Sequence, residues 1–212
     1  MNRWIPLALP LALVLVLSAV LAWMLFGWET DDTEDADPHE VLQLAQPPRG
    51  GDFTLTSATG PVSLTDFRGK VVLIYFGYTW CPDICPLNLS YLRYALDGLT
   101  EKERGRVQVL FISVDPERDT PQRLSRYTAY FAPDILGLTG TPEEVAKAAA
   151  LYGAVYRRGE VENSAMGYAV DHSAYTYLVD TSGALRQSLD HATPPDRIIA
   201  AIRSQLTAGE TP

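Results

Sequence analysis

Two cysteines, Cys81 and Cys85, are the only ones in the chain, and both stand in the phrase Cys81-Pro82-Asp83-Ile84-Cys85-Pro86. Thiolate sulfur is both a nucleophile and a soft metal ligand. A β-branched and aromatic run, Val71 to Gly77, comes just before the phrase, and apolar residues at helical spacing (Leu89, Leu92, Leu96, Leu99) follow it. The cysteines are therefore expected where a buried strand turns into a helix. The first N–H groups of a helix lack partners and its dipole is positive there, so both features stabilise thiolate. Residues four apart lie on one face of a helical turn. Two sulfurs placed in that way either share a metal ion or close a disulfide, and the spacing leaves both open. A small domain stapled by disulfides usually carries more cysteines. This fold must rest on its own core, and roughly 160 residues suffice for one.

The elements around the phrase follow from pattern. Phe53-Thr54-Leu55-Thr56 and Val62-Ser63-Leu64 alternate across the turn Ala58-Thr59-Gly60-Pro61, which predicts a β-hairpin. Val71–Gly77 and Val107–Val114 read as strands buried on both faces. Thr120-Pro121 and Thr141-Pro142-Glu143-Glu144 each supply a capping threonine and a first-turn proline, predicting helices to about Phe131 and Tyr152. Residues 157–167 are polar and hold two glycines, so they read as a loop. Tyr175–Val179 and Ala184–Leu189 form a second hairpin, and Thr193-Pro194-Pro195 starts a last helix to about Leu206. This order predicts an α/β sandwich with a mixed sheet.

The first 28 residues contain one charge, Arg3, and none falls between Ile5 and Trp28. The hydrocarbon core of a bilayer takes about 20 apolar residues in helical form. A cleavable signal has a shorter apolar run, so residues 1–28 are expected to be a retained membrane anchor. Residues 29–40, with seven acids and no base, begin an acidic stalk and linker that runs to residue 50. Arg3 before the span favours a cytoplasmic N-terminus. The N-terminus lacks the Arg and Ser of a transit peptide, so a bacterial inner membrane is expected, with the globular part on the periplasmic face. The net charge of −9 is mostly this stalk, because the residues after 40 carry 19 acids against 16 bases. No basic patch suggests nucleic acid.

The cysteine phrase resembles the Sco (SenC) family, copper-binding proteins for cytochrome c oxidase assembly. Two more phrases carry the resemblance. One is Phe111-Ile112-Ser113-Val114-Asp115-Pro116-Glu117-Arg118-Asp119-Thr120-Pro121. The other is Val170-Asp171-His172-Ser173-Ala174-Tyr175-Thr176-Tyr177-Leu178-Val179-Asp180. All three occur in family order over about residues 50–207. The resemblance implies a single transmembrane helix and then a thioredoxin-like sandwich with a mixed β-sheet and an N-terminal β-hairpin. It divides the chain into an anchor (1–28), a stalk and linker (29–50), the copper-binding domain (51–207) and a tail (208–212). It implies Cys81, Cys85 and His172 as metal ligands, with Cys81 and Cys85 also able to form a redox disulfide. Asp115 would lie near the cysteines, tuning the thiols or touching a partner; a turn-capping aspartate is the plainer alternative.

Two thiolates and an imidazole make a soft set that suits copper(I) and also holds copper(II), although zinc fits the same ligands. The implied function is a carrier, not an enzyme. It would deliver copper to the binuclear copper (CuA) site of a copper-accepting oxidase subunit, with another copper chaperone and a thiol reductant as further partners. The competing reading is a thiol–disulfide oxidoreductase that reduces the cysteines of that oxidase site. Such enzymes use Cys-x-x-Cys and a proline before the facing strand; here His172-Ser173-Ala174 precedes it. Exchange chemistry does not need His172, so that residue separates the readings. His39 and His191 are expected to be solvated, and Met166 to be a packing residue and not a ligand.

Overall fold

The computed structural model of the 212-residue chain describes residues 14–23, 44–160 and 167–209. The chain divides into two units, Met1–Pro38 and His39–Pro212. In the first unit, residues 14–23 form an exposed helix. The rest of the expected anchor, and residues 29–43 of the expected stalk, lie outside the described residues. Among the described residues no helix is long and apolar enough to cross a membrane.

The second unit is built on β3 (Val71–Gly77), whose seven residues are all buried. A strand rich in valine, leucine, isoleucine and aromatic residues buries both faces between covering layers. β4 (Val107–Ser113) and β5 (Ile135–Leu138) run parallel to it on one side; on the other, β8 (Thr176–Val179) runs antiparallel to β3 and β9 (Leu185–Leu189) antiparallel to β8. The five-stranded order is β5-β4-β3-β8-β9. The expected N-terminal hairpin is β1 (Thr54–Ser57) with β2 (Gly60–Ser63). Leu44 packs on the core and Ala45, Arg49 and Gly50 donate to the carbonyls of Gly153 and Leu151, so the end of the expected linker is docked on the domain.

Helices α1 (Ile84–Asp97), α2 (Glu101–Arg104), α3 (Pro121–Phe131), α4 (Pro142–Leu151) and α5 (Pro195–Ala208) complete the described fold. The capping signals behave as read. The Thr120 hydroxyl accepts from Arg123 N, and Thr141 with Glu144 closes a capping box. α1 packs against α5. The mixed α/β sandwich expected from the pattern is present. Two corrections concern strands. β5 carried no periodic signal, being four residues long. The expected loop at 157–167 is instead partly strand: β6 (Tyr156–Glu160) pairs antiparallel with β7 (Tyr168–His172) as a separate two-stranded sheet. Its polar composition disguised it, because this ribbon lies outside the central sheet.

Gly77 ends β3 where the chain turns toward the cysteines. A Cβ there would fall 2.6 Å from Cys85 Sγ and 2.8 Å from the Phe111 ring. Gly77→Ala is expected to lower stability by about 1–3 kcal/mol, as overpacking does. Gly105→Ala, whose Cβ would meet nothing closer than 3.5 Å, is expected to stay within about 0.5 kcal/mol of wild type. Urea unfolding of the two variants provides the comparison, and equal losses would remove the steric explanation.

Candidate metal centre

Two segments far apart in sequence converge at the carboxyl end of β3. Cys81 lies in the turn after β3, Cys85 is the second residue of α1, and His172 is the last of β7. One potential ligand atom from each lies within 4.8 Å of the other two. Cys85 Sγ stands 3.2 Å from His172 Nε2. All three side chains are buried, at 4%, 0% and 1% exposure respectively. Both cysteines are free thiols. The structure thus assembles the three residues expected as ligands.

Cys81 is not on the helix, contrary to the expectation from its spacing. α1 begins at Ile84, and the residue before it, Asp83, makes no side-chain capping bond. Cys85 N instead donates to Cys81 Sγ over 3.5 Å. A sulfur therefore takes the place of the usual oxygen cap, and this approach to the helix N-terminus favours its charged form.

The turn that carries Cys81 is held by Asp119, a residue the sequence reading passed over. Asp119 is fully buried and accepts from Thr79 N (2.9 Å), Thr79 Oγ1 (2.5 Å) and Ser113 Oγ (2.7 Å). Arg123 Nε donates to Thr79 Oγ1 over 2.6 Å. A buried carboxylate is tolerated only with such compensation. Next to Cys81, the half-exposed Trp80 ring stacks under the Arg123 guanidinium at 4.8 Å. No spacing signal joins Thr79 to Asp119, because they lie 40 residues apart.

His172 is oriented on all sides. Its Nδ1 lies 3.2 Å from the Ser173 carbonyl oxygen, which can only accept, so Nδ1 carries the proton and Nε2 presents a lone pair toward the sulfurs. The rings of Tyr75 and Tyr78 meet the imidazole edge-on at 6.2 and 5.8 Å. Tyr78 Oη accepts from Val170 N, and Asn88 Nδ2 on α1 donates to the Ala174 carbonyl.

Asp115 is buried, but its bonds run to β7 and its own turn. Tyr168 Oη donates to Asp115 Oδ1 over 2.7 Å, Arg118 Nε donates to Oδ2, and Arg118 Nη1 donates to the Tyr168 carbonyl. The Arg118 guanidinium also lies on the Tyr168 ring, 3.6 Å from its centre. This cluster ties the strand carrying His172 to the end of β4.

Electrostatics divide the two sulfurs. The hydrogen bond from the Cys85 side chain and those from backbone N–H groups hold the Cys81 thiol well below its usual range, against the opposing effect of burial. Burial pushes the Cys85 thiol well up, reinforced by its neighbour's negative charge. The resting pair is one thiolate, Cys81, beside one thiol, Cys85. His191 is half-buried, not solvated as expected. Its Nδ1 is enclosed without a hydrogen-bond partner among the described residues, and burial lowers its imidazole below the usual range. His39 and Met166 lie outside the described residues.

Residues 43–207 match the family model described as SCO1/SenC. The chain is 37% identical to Protein SenC of Rhodobacter capsulatus over 207 residues, covering 97% of this chain and 91% of that protein. The crystal structure of yeast Sco1 with copper bound is 36% identical and superposes with a TM-score of 0.69, over 76% of this chain and 90% of that one. A structure described as revealing a disulfide switch in BsSco, a member of the Sco family of cytochrome c oxidase assembly proteins, is 26% identical with a TM-score of 0.59 over 79% and 99% of the two chains. The thioredoxin-like mixed sheet is the fold this chain shares with those structures.

The division between the sulfurs has a measurable consequence. Thiolate is the alkylating species, so an ordinary thiol reacts about tenfold faster per pH unit below its pKa. The Cys81 thiolate already exists above its lowered pKa. Iodoacetamide is expected to modify Cys81 before Cys85, at a rate nearly flat from about pH 6 to 8. Peptide mass mapping over a pH series gives the readout. First modification at Cys85, or a rate rising steeply through that window, would contradict the assignment.

Proposed function

This chain belongs to the SCO1/SenC family, and we propose that it carries copper on Cys81, Cys85 and His172 and hands it to the CuA site of a cytochrome c oxidase subunit. The observation that carries this reading is the closure of two sulfurs and one imidazole nitrogen within 4.8 Å in a buried site. Thiolate selects copper(I), and the imidazole extends the set to copper(II). Loading releases the Cys85 proton, since the thiolate is the ligand. The copper-bound yeast neighbour supports the metal, and the neighbour described among oxidase assembly proteins supports the destination. In this reading the copper is cargo and the chain turns over no substrate.

One observation favours a second reading, reduction of the oxidase cysteines by thiol–disulfide exchange. A thiolate at Cys81 beside a buried thiol at Cys85 is also the arrangement of an exchange pair. The two readings share a constraint, because a Cys81–Cys85 disulfide removes two of the three ligands. A thiol reductant, and another chaperone as copper donor, complete the proposed partners.

The variants Cys81→Ser, Cys85→Ser and His172→Ala separate them. Each is expected to weaken copper binding at least tenfold and to lower oxidase activity in cells at limiting copper, with partial rescue by added copper. Full oxidase assembly in His172→Ala, alongside failure of both cysteine variants, would replace delivery by exchange.

The domain works, in this proposal, on the outer face of a bacterial inner membrane. Residues 1–28 anchor it, 29–50 form the stalk, 51–207 the copper domain and 208–212 a tail. The unbroken apolar length from Ile5 to Trp28 supports the anchor. The mature protein is expected to keep those residues and to fractionate with membranes. Intact mass showing an N-terminus near Trp23 would exclude a retained anchor.

A further inference from the structure

Cys85 has no exposed surface, so no solvent stabilises charge on its sulfur. As a metal ligand it must nevertheless carry negative charge, and a buried charge needs donors. Its neighbour His172 presents a lone pair, because the imidazole proton is on Nδ1. A backbone bond from Tyr78 reaches the sulfur. The side chain that brings a further proton is Tyr75, whose hydroxyl lies 3.7 Å from Cys85 Sγ.

Tyr75 is built into the centre of the sheet. It pairs with Phe111 of β4 and Thr176 of β8, and it is fully buried. Its ring lies 6.1 Å from Phe111 and 6.2 Å edge-on to His172. A donor fixed in the middle strand cannot follow the sulfur if it moves. It therefore favours one position of that sulfur.

We propose that Tyr75 is a positioning residue whose hydroxyl donates to Cys85 Sγ, stabilising the reduced sulfur pair and moderating electron donation from Cys85 to bound copper. The second half rests on the copper reading above; the first does not. In the reduced pair this bond feeds a chain, because the Cys85 S–H in turn donates to the Cys81 sulfur and each bond polarises the next, whereas a disulfide has no S–H to pass it on. The reduced pair is thus favoured. On copper(II), a hydrogen bond to a thiolate lowers its donor strength and tunes the metal's potential.

The test uses Tyr75→Phe in the full chain, with Tyr152→Phe as control. Tyr152 is also buried, but its hydroxyl donates to the Gly51 carbonyl 3.1 Å away. Thermal unfolding establishes that both fold. Without copper, each protein is equilibrated with glutathione. The Cys81 thiolate and the Cys85 thiol give two electrons and one proton to oxidised glutathione, solvent supplies the second proton, the Cys81–Cys85 bond forms as the glutathione S–S bond breaks, and two reduced glutathione molecules result.

Tyr75→Phe is expected to shift this equilibrium toward the disulfide by roughly three- to tenfold, and Tyr152→Phe by less than twofold. Incorporation of 3-fluorotyrosine at position 75, a stronger donor of nearly the same shape, is expected to shift it the other way. With copper(II) bound, Tyr75→Phe moves the sulfur-to-metal charge-transfer band to longer wavelength. A glutathione shift with no copper band in any variant sinks the copper reading and leaves the hydrogen bond standing. An unmoved glutathione ratio in both position-75 variants overturns the proposal, and the fluorotyrosine protein decides it if Tyr75→Phe does not fold.

Discussion

Bringing two sulfurs together out of water is the constraint around which this structure is arranged. Two thiolates in contact repel and are poorly solvated by apolar walls, so both cannot carry charge without a metal between them. The fold answers by making them unequal. Cys81, in the turn and accepting from Cys85 N of α1, holds the charge. Cys85, inside the helix and walled by β3, keeps its proton. A cation that displaces the Cys85 proton relieves the repulsion, which is why a pair of this kind suits soft metal ions.

The third group is supplied with a different kind of support. His172 stands on a two-stranded ribbon that is separate from the central sheet. Its orientation depends on side-chain and loop contacts: the Tyr75 and Tyr78 ring edges, the Asn88 link to Ala174, and the Arg118–Asp115–Tyr168 cluster. The sulfurs, by contrast, stand on the turn after β3 and on α1, beside a strand that is buried throughout. In the proposed carrier role that contrast would matter. Ligands on a rigid scaffold retain cargo, whereas a ligand on a lighter attachment has fewer contacts to break when the cargo leaves.

Asp119 shows how deeply this site is embedded in the core's polar economy. It is fully buried, yet it satisfies Thr79 on the cysteine turn and Ser113 at the end of β4 at the same time. Such a group stabilises only when all its bonds are made, since a partly satisfied buried network is worse than an apolar one. The path of the turn before Cys81 is therefore set by β4 and α3, not by its own residues. The same holds for Gly77, whose missing side chain makes room for the Cys85 sulfur and the Phe111 ring.

The sequence by itself determined the local elements and the identity of the chemical groups. The buried runs of β3 and β4, the threonine–proline starts of α3 and α4, and the cysteine and histidine phrases are all legible, because apolar periodicity, capping and donor chemistry are properties of neighbouring residues. The short β5 and the polar ribbon of β6 and β7 escaped, since a strand of four residues or one outside the core leaves little periodic trace. Only tertiary structure decided that Cys81 precedes the helix, that His191 is half-buried, that Asp115 braces β7, and that Asp119 and Tyr75 complete the site. The contacts of Asp115, Asp119 and Tyr75 join residues 10 to 53 apart in the chain. Hydrogen bonds at such separations follow from how strands and helices stack, and no local pattern encodes a meeting that burial of other residues brings about.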